Sequence, residues 1–345
     1  EQGLAAAMAA VKEYQARQHE VIAAIEDDGT PEQMEAIMNV VGCAETMGRL
    51  LQCVDDGNED DDADEASWHG LRKAGLAGSS SWLPGQELGG SLLHVAAYIG
   101  DAAKTLTLIH EDGARTDQAT AGNSAFAVYL SAMKGHVETT RVLLDHGADP
   151  NQAKANGVTA LYIAARNGHT EIASDLLSHG ADVDVALPDG WTPLLIAAEK
   201  NHPPMMDLLL NSGASVDLGT ADGWTAMHIS VRDGNVAAAV LLFSHGASLE
   251  NETNTGASEL LIAAGTENIA LAEMLLGRNA NVNHVAASDG ATPLIMAAND
   301  GNVDLVALFI EHGADVGLAT DDGVSPLFVA ARGDHVDVAK LLLDN

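Results

Sequence analysis

Aromatic residues are scarce in this chain of 345 residues, where Phe, Trp and Tyr together make up 3%. A sandwich of strands fills its core with aromatic and β-branched side chains, so this deficit, beside abundant Ala and Gly, favours short, closely packed helices. Basic residues are also few: 16 Lys and Arg face 50 Asp and Glu, a formal charge of −34. Such a surface repels phosphate backbones and anionic lipid, which argues against nucleic acid and membrane as partners; its natural complement is a protein with a basic face. No apolar run approaches the ~20 residues of a membrane-spanning helix, so direct insertion is not expected. There are only two cysteines, Cys43 and Cys53. On one helix their backbones would lie ~15 Å apart, too far for an intrahelical disulfide, and nothing around them has metal-ligand spacing. Free thiols point to a reducing, intracellular compartment.

Signatures of catalysis are missing as well. The chain has no G-x-x-x-x-G-K-[ST] phosphate loop, G-x-S-x-G elbow or H-E-x-x-H helix. Pairs of carboxylates are common, but at this acid content they carry no information. No catalytic residue, cofactor or metal ligand is therefore expected.

What the chain does have is a period. Gly89, Gly122, Gly157, Gly190, Gly223, Gly256, Gly290 and Gly323, each expected just ahead of a unit's first helix, are spaced by 33, 35, 33, 33, 33, 34 and 33 residues. A second series, Gly113, Gly147, Gly180, Gly213, Gly246, Asn279 and Gly313, has gaps of 34, 33, 33, 33, 33 and 34. Two independent series sharing one period predict stacked helix–loop–helix units, each burying a face against its neighbour. Position chemistry agrees. Thr or Ser opens the first helix as a cap, and Pro is tolerated in the first turn. Paired alanines allow close helix approach, a Leu-Leu pair lines the second helix, and the closing glycine takes a left-handed turn that Asn279 can also adopt.

The residues between these marks resemble the ankyrin pattern T-P-L-H-x-A-A followed by L-L-x-x-G-A. It stands here as Thr159-Ala160-Leu161-Tyr162-Ile163-Ala164-Ala165, Thr192-Pro193-Leu194-Leu195-Ile196-Ala197-Ala198, Thr225-Ala226-Met227-His228 and Thr292-Pro293-Leu294-Ile295-Met296-Ala297-Ala298. The closing half stands as Leu143-Leu144-Asp145-His146-Gly147-Ala148 and Leu176-Leu177-Ser178-His179-Gly180-Ala181. The resemblance implies an all-α ankyrin-repeat solenoid over residues 86–345, about eight helix–loop–helix repeats with short β-hairpin tips, the last one incomplete. Most of the 14 histidines fall at repeat-prescribed places. Only His19, His69, His110 and His284 lie outside the pattern.

Three departures stand out. Two extra residues near Phe126–Tyr129 predict a distorted first helix or lead-in loop in the second unit. Asn201-His202-Pro203-Pro204 predicts a second helix restarted by prolines in the fourth. The eighth unit stops at Leu341-Leu342-Leu343-Asp344-Asn345 without the polar outer face that terminal repeats need, which predicts that the native chain continues or that this end is covered.

Ahead of the array, residues 1–54 read as a helical hairpin: Met8, Val11, Val21, Ile22 and Ile25 share one face, and Thr30-Pro31-Glu32-Gln33 caps a second amphipathic helix. Residues 55–85 read as an acidic linker and a lead-in carrying Trp68 and Trp82. The run from Asp55 to Glu65 does not fit a calcium loop, since Glu65 and Leu71 occupy positions that require glycine and glutamate.

The pattern implies a non-enzymatic protein-interaction scaffold or adaptor, possible also as a peripheral subunit of a larger assembly. The alternatives are a regulatory or targeting region of a longer multidomain enzyme or channel, and a chaperone-like holder of basic clients. In proteins of this pattern, partners contact the hairpin tips and the exposed ends of the first helices. Carried onto this sequence, that surface comprises Asp189 and Trp191, Asp222 and Trp224, then Arg166, Asn167, Lys200, Arg232, Asp233, Asn299 and Asp300. Trp191 and Trp224 occupy one position in adjacent units, so their rings are expected side by side, either as exposed anchors free of the buried framework or each lying on its neighbour's hairpin.

Overall fold

A computed structural model of the chain describes residues 86–119, 125–249 and 251–345, with side chains from residue 93 onward. The expectations for the N-terminal hairpin, the acidic linker, Cys43, Cys53, Trp68, Trp82 and Gly122 lie outside the described residues. Among the described residues sixteen helices follow one another in eight pairs. They are α1 (Gln86–Ile99) and α2 (Ala102–His110), α3 (Ala127–Lys134) and α4 (Val137–Asp145), α5 (Ala160–Asn167) and α6 (Thr170–Ser178), α7 (Pro193–Glu199) and α8 (Pro203–Asn211). Then come α9 (Ala226–Arg232) and α10 (Val236–Ser244), α11 (Glu259–Gly265) and α12 (Ile269–Leu276), α13 (Pro293–Asp300) and α14 (Val303–Glu311), α15 (Pro326–Arg332) and α16 (Val336–Leu343). No strand forms among the described residues, which hold only the isolated bridges Ala119–Phe126 and Ala153–Thr159. The tips are thus single hydrogen-bonded turns, too short to become ladders.

The chain divides into two compact units. The first comprises residues 1–164 with 171–182, the second residues 165–170 with 183–345. Within the first, α1 packs on α3 and α2 on α4. Within the second, the first helices α7, α9, α11, α13 and α15 pack in succession, while α8 packs on α10, α12 on α14 and α14 on α16.

Caps set where the first helices start. The side chains of Thr192, Thr225, Ser258, Thr292 and Ser325 accept from the backbone amide three residues on, each at 3.2–3.3 Å. Such a cap contributes about 1 kcal/mol, and proline at the next position of α7, α13 and α15 costs nothing there. The alanine pairs Ala164–Ala165, Ala197–Ala198, Ala263–Ala264 and Ala297–Ala298 are fully buried, so first helices can approach closely. Leu143, Leu176, Leu209, Leu242, Leu275 and Phe309 fill the buried side of the second helices, each worth roughly 1.5–3 kcal/mol of burial.

Polar side chains join one repeat to the next. His136, His202 and His335, at the heads of second helices, place Nε2 2.9–3.1 Å from the carbonyls of Tyr98, Arg166 and Asn299. Asn151 and Asn283 each donate to the closing-glycine carbonyl of the next repeat and accept from the amide two residues beyond it.

One expectation needs correction, and one pair of alternatives is narrowed. Gly89 lies inside α1, which already begins at Gln86; a glycine within a helix costs only about 1 kcal/mol, less than an added turn can recover by packing. In the second repeat α3 is a regular helix, headed by Phe126 without a side-chain cap. Its cap stands four residues after Gly122 instead of two, so α3 itself takes in no extra residues. The other substitutions behave as the sequence predicts: Asn279 has φ +64°, and α8 begins on Pro203 after Asn201 takes φ +53°. Glu267 is the surprise, at φ +54° where most units carry glycine. Its Cβ crowds the following carbonyl, so Glu267→Gly is expected to stabilise the protein by about 1 kcal/mol, read as a shifted denaturant midpoint at unchanged slope.

Candidate functional site

In each tip from Leu187 onward one residue is turned back on itself by two backbone hydrogen bonds. Leu187 donates to Trp191 at 2.8 Å and Gly190 to Leu187 at 2.8 Å; Thr220 donates to Trp224 at 2.9 Å and Gly223 to Thr220 at 2.9 Å. The same pattern recurs at Thr253–Ala257, Ala286–Ala291 and Thr320–Val324. Successive tips are also tied together. Ala221 donates to the carbonyl of Asp189 (2.8 Å), Asn254 to Asp222 (2.9 Å), Ser288 to Thr255 (3.1 Å) and Asp321 to Asp289 (3.3 Å). One backbone bond per repeat therefore fixes the tips at a set spacing, and backbone polar groups that would face water are satisfied. The result is a preorganised edge from which side chains project.

Asp189, Asp222, Asn167, Lys200, Arg232, Asp233, Asn299 and Asp300 are exposed, and Arg166 is partly exposed. All lie in the second unit. Several are drawn together. Arg232 makes a two-pronged contact with Asp233, at 2.7 and 2.9 Å, which raises its pKa above the usual arginine value. Its guanidinium also sits 5.5 Å from the centre of the Trp224 ring. Lys200 reaches Glu199 at 3.4 Å. Asn299 donates to Asp300 and accepts from Arg332, at 3.0 and 3.1 Å. Asn299 and Asp300 belong to the seventh pair, separate from the Trp224 group.

The tryptophans depart from expectation. Both are half-buried, not exposed, and their rings form no aromatic pair with each other. Trp224 instead meets His228 edge-on, with ring centroids 6.0 Å apart. The indole turns toward an imidazole four residues on and a guanidinium eight residues on, both carried by α9, which begins two residues after it. Trp224 therefore belongs partly to the framework.

Beneath it lies a pair that the repeat pattern does not announce. His228 and Glu259 are both buried, 0% and 1% exposed, with Nε2 and Oε1 3.5 Å apart. His228 Nδ1 accepts from the Thr225 amide at 3.2 Å, which leaves the proton of the neutral ring on Nε2, and neither that nitrogen nor Glu259 Oε1 has a hydrogen-bond partner. Burial lowers the His228 pKa to about 4, against smaller opposing pulls from the carbonyls of Asn251 and Ala257. Burial raises Glu259 to about 7, and the charge of Asp217 pushes the same way. One signal was available: Glu259 stands where six of the other repeats carry Pro or Ala and the first carries Leu92, directly after the cap.

No curated protein matches the chain. The family model of ankyrin repeats matches it in three copies, over residues 93–186, 183–253 and 260–345. Ankyrin repeats form protein–protein interaction domains, and the paired helices, capped starts and tip turns described above are the structural form of that pattern. Matched over well more than half of its length, the chain belongs to the ankyrin-repeat family.

Proposed function

We propose that the chain is a non-enzymatic scaffold or adaptor of a reducing intracellular compartment. It holds a basic protein face against the tips and first-helix ends of its third to fifth repeats. The observation that carries this reading is the row of backbone hydrogen bonds between tips. It fixes Asp189, Trp191, Asp222 and Trp224 before a partner arrives, which lowers the ordering cost of association. Half-buried indoles among exposed acids and a few bases suit a hot spot with a polar rim. Attraction between the −34 chain and a basic face would speed encounter and weaken with salt.

The test places a photo-crosslinking residue at Asp189, Asp222 or Lys200 on one side, and at Val240 or Glu273 of the second helices on the other. All of these are solvent-accessible. Adducts to the same protein from the first set, suppressed by salt and absent from the second set, are the expected result. Adducts from Val240 and Glu273 alone would move the interface to the second helices and defeat the proposal.

A further inference from the structure

His110 is the one described histidine outside the repeat pattern that meets another histidine. Its Nε2 lies 2.8 Å from Nε2 of His146, the rings 4.7 Å apart at centroids and inclined by 83°. Elsewhere imidazoles are committed differently: His136, His202 and His284 direct Nε2 at backbone carbonyls, and His179 directs it at Asp145. We propose that His110 and His146 form a two-imidazole chelate for a divalent transition-metal ion, bridging α2 and α4.

The geometry supports this in three ways. First, His146 Nδ1 lies 2.7 Å from the carbonyl of Val142, one turn back. That nitrogen is a donor, so Nε2 of the neutral ring carries a lone pair, and a carbonyl on the far nitrogen is the support that metal-bound imidazoles ordinarily have. Second, two nitrogens bound at ~2.0–2.1 Å around a tetrahedral ion stand about 3.3 Å apart. The rings need open by only about half an ångström from 2.8 Å, within reach of small side-chain rotations. Third, both imidazoles reach solvent and the chain carries −34 charges, so a cation can approach and is attracted. Among the described residues no group of three or more His, Cys, Asp or Glu converges for a metal, so water completes the shell. Imidazole ligands select Zn²⁺, Ni²⁺ or Cu²⁺ over Mg²⁺ or Ca²⁺.

The experiment titrates Zn²⁺ by calorimetry into the metal-free full chain and into His110→Gln, His146→Gln and His312→Gln. His312 is the control: its Nδ1 contacts the Leu308 carbonyl at 2.9 Å as His146 does with Val142, but it has no second ring. Wild type and His312→Gln should share one site that either of the other variants weakens at least roughly tenfold, because one ligand of a chelate is lost. Cu²⁺ electron paramagnetic resonance should show two coupled nitrogens in wild type and one in His110→Gln. Zn²⁺ affinity unchanged in His110→Gln, or equal loss in His312→Gln, would reduce the pair to a surface hydrogen bond. Unfolding midpoints without metal should agree among all four proteins, since both rings lie at the surface.

Discussion

Glu259→Gln is expected to stabilise the protein at pH 8 by on the order of 3 kcal/mol, and to leave it nearly unchanged at pH 4. The folded pKa of Glu259 is raised to about 7, so its favourable contribution is full below the ordinary carboxylate value and is lost as pH rises through 7. His228 works in the opposite sense. Its folded pKa is lowered to about 4, so its contribution is full above the ordinary imidazole value and is lost as pH falls through 4. Between about pH 4.5 and 6.5 the two slopes oppose each other, and wild-type stability should be almost flat with respect to this pair. The glutamine variant removes one slope and exposes the other: its stability should climb from pH 4 to 6.5 and then level off. Differences between variant and wild-type midpoints cancel every other titrating group. A variant that is less stable than wild type at pH 8 would mean that His228 holds Glu259 as an anion, and that the pair is a buried ion pair.

The pair also marks the limit of what the sequence discloses. Period and motif located the helix pairs because each repeat packs against its neighbours through fixed positions; Thr192, Pro193, Ala197 and Leu209 have one role wherever they recur. Asn279 could be read in advance because only a few residues tolerate its backbone angle. Contacts between particular side chains of different repeats could not. His228 meets Glu259, His110 meets His146, and Arg141 of α4 reaches Glu171 and Asp175 of α6 at 3.4 and 3.0 Å. These depend on rotamers and on residues about 30 positions away, which periodicity leaves free. The tip surface was legible as a location, since the framework claims the other positions. The inward turn of Trp224 was not, because it follows from contacts with His228 and Arg232 of α9, the helix that begins two residues after it.

Gly223→Ala should cost about 2–3 kcal/mol and should disable the tip edge, whereas Gly213→Ala should cost only about 1 kcal/mol. The two glycines separate two physical effects. Both have left-handed backbones, φ +79° and +93°, so an added Cβ imposes the same kind of strain on each. At Gly213 the Cβ would meet nothing within 4 Å. At Gly223 it would lie 2.9 Å from the Glu252 carbonyl oxygen, 3.1 Å from Thr253 Cα and 3.2 Å from the Asn254 nitrogen. All three belong to the backbone of the next tip, which cannot rotate away as a side chain could. Relief requires the tips of Gly223 and Gly256 to part, and the backbone bond between them is the one from Asn254 to Asp222, at 2.9 Å, beside a bond from the Asn254 side chain to the Ala221 carbonyl, also at 2.9 Å. Amide exchange at Asn254 should therefore quicken in Gly223→Ala and stay unchanged in Gly213→Ala. If the tips act by being held in place, crosslinking from Asp189 and Asp222 should fall only in the first variant. Equal destabilisation by the two substitutions would show that strain alone accounts for the glycine and that the tips are not locked together. Loss of Asn254 protection with undiminished crosslinking would show instead that the partner needs the tip side chains but not their fixed spacing.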